Sequence, residues 1–141
     1  MLFDELPIYT AIYHLKRDGR NGLPADPQTD RERELVADSI HSYLHAANKY
    51  GVFSMDQLLA AWRDYRKSAG GKAELAVRLA ENFGGQCFYG PRRPTPCSPV
   101  VSVDRLVPGS RGGKYTVRNC VLACKFHNSE RGDKPIEDYL L

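Results

Sequence analysis

The chain has 141 residues, enough for one domain or a small module with a helical extension, and at 42% hydrophobic and 26% charged it can build a folded core. No apolar run approaches the ~20 residues of a membrane span, and the opening M-L-F-D-E-L-P lacks the basic, long apolar pattern of a secretory signal. The expected location is the cytoplasm. A net charge of +3 says little alone, but residues 1–83 hold eleven Lys/Arg against twelve Asp/Glu, whereas residues 84–141 hold nine against five.

Met1 to Gly19 is expected to be helical, because Ile8, Ile12 and Leu15 recur at helical spacing after Pro7, although I-Y-T-A-I-Y also suits a strand. Arg20 to Gln28, with Asn-Gly and two prolines, reads as a loop. Thr29 or Asp30 can cap a helix running to about Lys49, with Leu35, Val36, Ile40, Tyr43 and Leu44 as its buried stripe and Gly51 as its stop. Ser54-Met-Asp-Gln57 is a capping box that opens a second helix, whose apolar face is Leu58, Leu59, Trp62 and Tyr65. Gly70-Gly71 ends it. A third helix carries Leu75, Val77, Leu79 and Phe83 and stops at Gly84-Gly85. His41 and His45 lie one turn apart, a metal-compatible spacing, but with no acid or thiol partner nearby they read as surface or core histidines.

From Val100 the pattern changes to strand, glycine-rich loop, strand and short helix. Val100, Val101, Val103, Leu106 and Val107 form a β-branched apolar run interrupted by Asp104-Arg105. Pro108-Gly109 and Gly112-Gly113 punctuate a loop, Val121-Leu122-Ala123 is a second apolar run, and Cys124 opens a helix-compatible segment ended by Gly132 and Pro135. An acid at a strand end, facing polar groups at a helix start, is a candidate divalent-metal site. Seven basic residues and one acid, Asp104, lie between Arg92 and Lys125, a balance suited to a polyanion. All four cysteines, Cys87, Cys97, Cys120 and Cys124, fall in this half, and outside an oxidising compartment such clustering favours a metal site over disulfides.

The stretch resembles the HNH, or ββα-metal, nuclease family, whose members commonly read D-H-V-x-P-x-S-x-G-G-x-x-T-x-x-N-x-V-x-A-C-x-x-C-N-x-x-K-G-D. The chain matches at Asp104, Pro108, Ser110, Gly112, Gly113, Thr116, Asn119, Val121, Ala123, Cys124, Asn128, Gly132 and Asp133. Arg105 stands at the family's first His, and His127 at its last Cys. Cys87, Cys97, Cys124 and His127 offer the four ligands of a tetrahedral structural Zn2+. The resemblance implies a C-x-x-C first knuckle; Gly90 occupies its second position, so Cys97 must supply that thiol across P-R-R-P-T-P. Cys120 reads as a buried small hydrophobe.

The resemblance also implies a catalytic Mg2+ or Mn2+ held by Asp104 and Asn128, with Asn119 fixing the loop between the strands. Arg105 cannot act as the family's general base, since a guanidinium with a pKa above ~12 keeps its proton, but it can grip phosphate oxygens in pairs. Some small HNH nucleases, including restriction and phage types, carry Asp-Arg at this place, and the resemblance implies a small enzyme of that kind. The base is then Tyr115, His41, His45 or bulk hydroxide. Arg111, Lys114 and Arg118 around the Gly-Gly turn, with Arg131, are expected to contact phosphates.

The expected fold is α+β, with a mostly helical N-terminal layer (1–83), serving DNA contact or dimerisation, packed on a zinc-stapled ββα-metal (HNH) finger (84–141). The expected activity is metal-dependent cleavage of duplex DNA to 5′-phosphate and 3′-hydroxyl ends, with one copy nicking a single strand and both strands cut either by two copies, as in a homodimer, or by two sequential events. The alternatives are a catalytically silent nucleic-acid-binding protein of this fold and an RNA-directed nuclease.

Overall fold

End caps and helical periodicity account for the first helices of the computed structural model, which describes residues 1–19, 22–44, 52–67 and 72–141. Pro7 occupies the first turn of α1 (Leu6–Arg17), where its missing N–H costs no hydrogen bond. Ile8, Ile12 and Leu15 are fully buried along one face, which decides helix over strand for this segment. Thr29 is the cap of α2 (Asp30–Leu44): its Oγ1 accepts the Glu32 amide at 3.1 Å, and Glu32 Oε1 accepts the Thr29 amide at 3.0 Å. The same reciprocal pair opens α3 (Met55–Lys67), with Ser54 and Gln57 joined at 2.9 and 3.2 Å. The expected run of α2 to Lys49, its stop at Gly51, His45, Arg20 and the Gly70-Gly71 stop lie outside the described residues.

Two compact units result, Glu5–Glu74 and Met1–Asp4 with Leu75–Leu141. In the first, α1, α2 and α3 pack on one another around Ile12, Leu15, Ile40, Leu44, Leu58 and Trp62. Buried polar tips are satisfied within it: Trp62 Nε1 donates to Pro24 O at 3.0 Å, and Tyr9 donates to Asp64 at 2.7 Å. Leu35 does not join the stripe. It is 48% exposed, because Val36, Ile40 and Leu44 already occupy the inward line and position 35 is turned away from it. Tyr43 and Tyr65 are half-buried. No helix among the described residues is long and apolar enough to cross a membrane.

The division expected at 83/84 falls at 74/75, inside α4 (Lys72–Phe83). Leu75, Val77 and Leu79 are buried as expected, but Phe83, at the last position of α4, is 73% exposed. The first four residues join the second unit because they pair with it. Val101 N donates to Met1 O at 2.9 Å, Phe3 N to Pro99 O at 3.0 Å, and Leu2 forms an antiparallel bridge with Val100.

The second unit runs β1 (Val101–Arg105), β2 (Cys120–Cys124), α5 (Lys125–Arg131) and α6 (Ile136–Tyr139). The two strands are antiparallel, with Asp104 opposite Val121 and Ser102 opposite Ala123. With the helices, this small sheet makes the chain α+β. Since directly paired residues share a face, Ser102, Asp104, Val121 and Ala123 lie on one side, and α5 packs there through Asn128 and Arg131. Cys87, Tyr89, Ala123, Cys124 and Tyr139 form a buried cluster within the unit.

The loop from Leu106 to Asn119 is held by Asn119. Its Oδ1 accepts the Val107 amide at 2.9 Å, and its Nδ2 donates to Val107 O at 3.1 Å and Lys114 O at 2.9 Å. Gly113 passes so close to this brace that a Cβ there would lie 1.6 Å from Val107 O. No side chain fits at that position without reshaping the loop.

Candidate functional site

Cys87, Cys97, Cys124 and His127 converge, with all four ligand atoms within 4.8 Å of one another. Cys87 comes from the turn after α4, Cys97 from the segment before β1, Cys124 from the end of β2, and His127 from the first turn of α5. His127 Nδ1 lies 3.2 Å from Cys124 Sγ and 3.6 Å from Sγ of both Cys87 and Cys97. Its Nε2 is 2.9 Å from Thr95 O, which can only accept, so Nε2 carries the proton and Nδ1 turns its lone pair to the sulfurs. A tetrahedral ion with bonds of about 2.3 Å to sulfur and about 2.0 Å to nitrogen separates such donors by about 3.5 Å. The donor set therefore fits a metal ion such as zinc, and the four residues could hold one.

Backbone amides support the thiols. Cys124 N donates to Cys87 Sγ at 3.2 Å, and His127 N to Cys124 Sγ at 3.3 Å. Burial opposes ionisation of Cys124, but the amide bonds from His127 and Ser98 and the neighbouring thiols hold it below its usual range. Burial and hydrogen bonding to Cys87 push the Cys97 thiol up to about 12, although the residue as a whole is exposed. Its sulfur faces the cluster. Gly90 explains how Cys97 reaches it: a Cβ at position 90 would stand 3.3 Å from Cys97 Sγ, so the glycine leaves open the space the sulfur enters. Cys120 is buried outside the cluster.

Asp104 is 6% exposed, and its Oδ2 carries two charge-assisted bonds, one from the Tyr89 hydroxyl and one from Arg131 Nη1 at 3.0 Å. Its Oδ1 takes no hydrogen bond among the described residues. Burial first, then the bond to Asp104, raises the Tyr89 phenol above its ordinary range, which keeps it a donor. Asn128 donates Nδ2 to Ser102 Oγ at 2.5 Å, and its Oδ1 likewise takes no bond among the described residues.

Arg131 is a correction. Expected at a phosphate, it is 1% exposed, and its donors turn inward to Asp104, Arg105 O, Leu106 O (2.7 Å) and Lys134 O (3.0 Å). A guanidinium so enclosed orients the Asp104 carboxylate and the end of β1 and cannot meet a nucleic acid. Arg111, Lys114 and Arg118 are exposed on the braced loop. Arg105 lies with its guanidinium 4.3 Å from the centre of the Tyr115 ring, and Tyr115 is 41% exposed. His41 is on α2, in the helical unit.

Tyr89, Thr95 and Glu130 are the residues that sequence reasoning missed. Glu130 accepts from Tyr139 at 2.7 Å and pairs with Arg93 at 3.2 Å, contacts that hold its carboxyl below the ordinary range and tie the segment bearing Thr95 to α5 and α6. Compared with known proteins, the chain matches no family model, no curated protein and no solved structure.

Proposed function

We propose that the chain is a divalent-metal-dependent endonuclease of the HNH type that hydrolyses DNA phosphodiester bonds, with zinc in the cysteine–histidine cluster as a structural ion. The observation that carries this reading is the pair of unbonded oxygens, Asp104 Oδ1 and Asn128 Oδ1, on side chains whose other polar atoms are anchored across the interface of β1 and α5. One carboxylate and one amide oxygen suit magnesium or manganese, which take their remaining ligands from water and the substrate's phosphate. Such an ion neutralises the phosphate and stabilises the leaving oxygen. Tyr89 and Arg131 aim the carboxylate, and Asn119 keeps the basic loop in one shape.

A second reading, a binding module without catalysis, has its own observation in favour: Arg131 neutralises the only acid of the site. Plasmid nicking with magnesium or manganese against a chelated control separates the two. Binding without nicking in either metal overturns the nuclease. A panel of single-stranded DNA, duplex DNA and structured RNA then assigns the substrate.

Arg105 is assigned to the phosphate, and its guanidinium lies over the Tyr115 ring, 4.3 Å from its centre. Arg105→Ala is expected to lose about 2–4 kcal/mol of transition-state stabilisation, the scale of one missing donor. Arg105→Lys should recover little, because an ammonium cannot make the paired planar contact. Tyr115→Phe should retain activity, since the stacking needs the ring and not the hydroxyl. A rate that rises with pH and vanishes in Tyr115→Phe would make the tyrosine the base instead.

The exposed loop residues have a uniform role. Replacing Arg111, Lys114 or Arg118 singly with Ala should weaken binding at all sequences alike and reduce the salt slope by about one contact, read from binding isotherms at several salt concentrations. A loss confined to one base position would make that residue a reader of sequence.

A further inference from the structure

The turn that gives Cys87 to the cysteine–histidine cluster gives Tyr89, two residues on, to Asp104. The helix α5 repeats the arrangement: His127 belongs to the cluster, Asn128 follows it, and Arg131 one turn later holds the same Asp104 oxygen. Tyr89 is fully buried, and its ring packs edge-on against His127 at 6.4 Å between centroids and against Tyr139 at 5.1 Å. Among the described residues, both side chains that anchor Asp104, Tyr89 and Arg131, thus stand on segments that also supply a cluster ligand.

From this geometry we infer that a metal in the cysteine–histidine cluster raises the affinity of the Asp104–Asn128 site for its divalent ion, with Tyr89 as the positioning residue that carries the coupling. The inference rests on the nuclease reading for the second site. Its physical basis is the choice between two carboxylate oxygens. Tyr89 and Arg131 together commit Oδ2 and leave Oδ1 for the ion. Arg131 alone has a planar fork that can engage both oxygens at once, which would take Oδ1 out of use. Fixing Cys87 and His127 on one ion restricts the Tyr89 turn against α5, and so fixes which oxygen is free. Coupling of this kind is reciprocal, so occupancy of either site favours the other.

The test titrates manganese into the full chain and follows free Mn2+ by electron paramagnetic resonance, with the cluster loaded with one equivalent of zinc. Tyr89→Phe keeps the ring and its packing and removes only the hydroxyl. It should bind Mn2+ about 10–100-fold more weakly than the unaltered chain, the usual effect of losing a partner of a metal ligand. It should also keep its equivalent of zinc and its near-ultraviolet circular dichroism. Zinc in turn should bind more tightly with Mn2+ present than without it, and Tyr89→Phe, while folded, should lose most of that difference.

Equal Mn2+ affinity in Tyr89→Phe and the unaltered chain overturns the positioning role. Loss of zinc or of folded structure in Tyr89→Phe overturns it too, by making the hydroxyl part of the core's stability. Equal zinc affinity with and without Mn2+, or a difference unchanged in Tyr89→Phe, overturns the coupling. If the unaltered chain binds Mn2+ no better than Asp104→Asn, the nuclease reading itself fails, a result distinct from the others because it requires no change at Tyr89.

Discussion

Asp104→Asn is expected to end cleavage, with a loss of at least about a thousandfold, since removing even a single transition-state donor costs about 10²–10³. The change keeps the shape of the side chain and its capacity to accept from Tyr89 and Arg131 through one oxygen, but removes the only anionic ligand of the proposed catalytic ion. Asp104→Ala should lose activity to the same degree and lose stability as well. Arg131 is 1% exposed, and truncating its partner strands a buried guanidinium at a cost of about 3–5 kcal/mol. The pair of variants separates chemistry from folding: single-turnover cleavage reads the first and thermal melting the second. Turnover at the unaltered rate in Asp104→Asn, with the fold intact, would remove the carboxylate from the mechanism.

The second large effect is expected on removing the structural metal. Cys87, Tyr89, Ala123, Cys124 and Tyr139 form one buried cluster of the C-terminal unit, and two of these five are ligands of the metal cluster. That cluster packs around its two ligands, and structural zinc binds with an apparent free energy on the order of 10 kcal/mol near neutral pH. That is comparable with the whole stability of a domain. Chelation should therefore abolish the near-ultraviolet circular dichroism of this unit, and Cys124→Ser should do the same without chelator. Acid should act in the same direction. Protons compete with the metal for the thiols, and Cys97, pushed up to about 12 in the metal-free cluster, must release its proton on binding, so loading weakens as pH falls. Less than half an equivalent of zinc in protein purified without added metal, with a melting temperature indifferent to chelator, would refute the assignment.

What the sequence made legible was mostly local. The capping box of Ser54 and Gln57 is a four-residue signal and forms as read, while the choice left open between Thr29 and Asp30 falls to Thr29 because Glu32 lies three residues after it. The convergence of Cys87, Cys97, Cys124 and His127 was legible because thiols are scarce and rarely placed together without a reason. The misses follow from information that a linear pattern lacks. Leu35 and Val36 are adjacent and both apolar, and only the partner helices decide which of them faces inward. Arg131 in sequence is one more basic residue; its burial depends on an acid twenty-seven positions earlier. Tyr89 is indistinguishable from Phe88 until the fold brings it to Asp104, fifteen positions on.

The pairing of Met1–Phe3 with Pro99–Val101 has a consequence for how the chain is made. Leu2 must wait for Val100, ninety-eight positions later, and closing a loop of that length costs about 4 kcal/mol of chain entropy. During synthesis, Glu5–Glu74 is complete while only the first four residues of the other unit exist. The unit of α1, α2 and α3 can therefore fold as it emerges, whereas the ββα unit waits until Tyr139 has been made. Its first strand partner, Leu2, is made before the helical unit, and its core residue Tyr139 well after it.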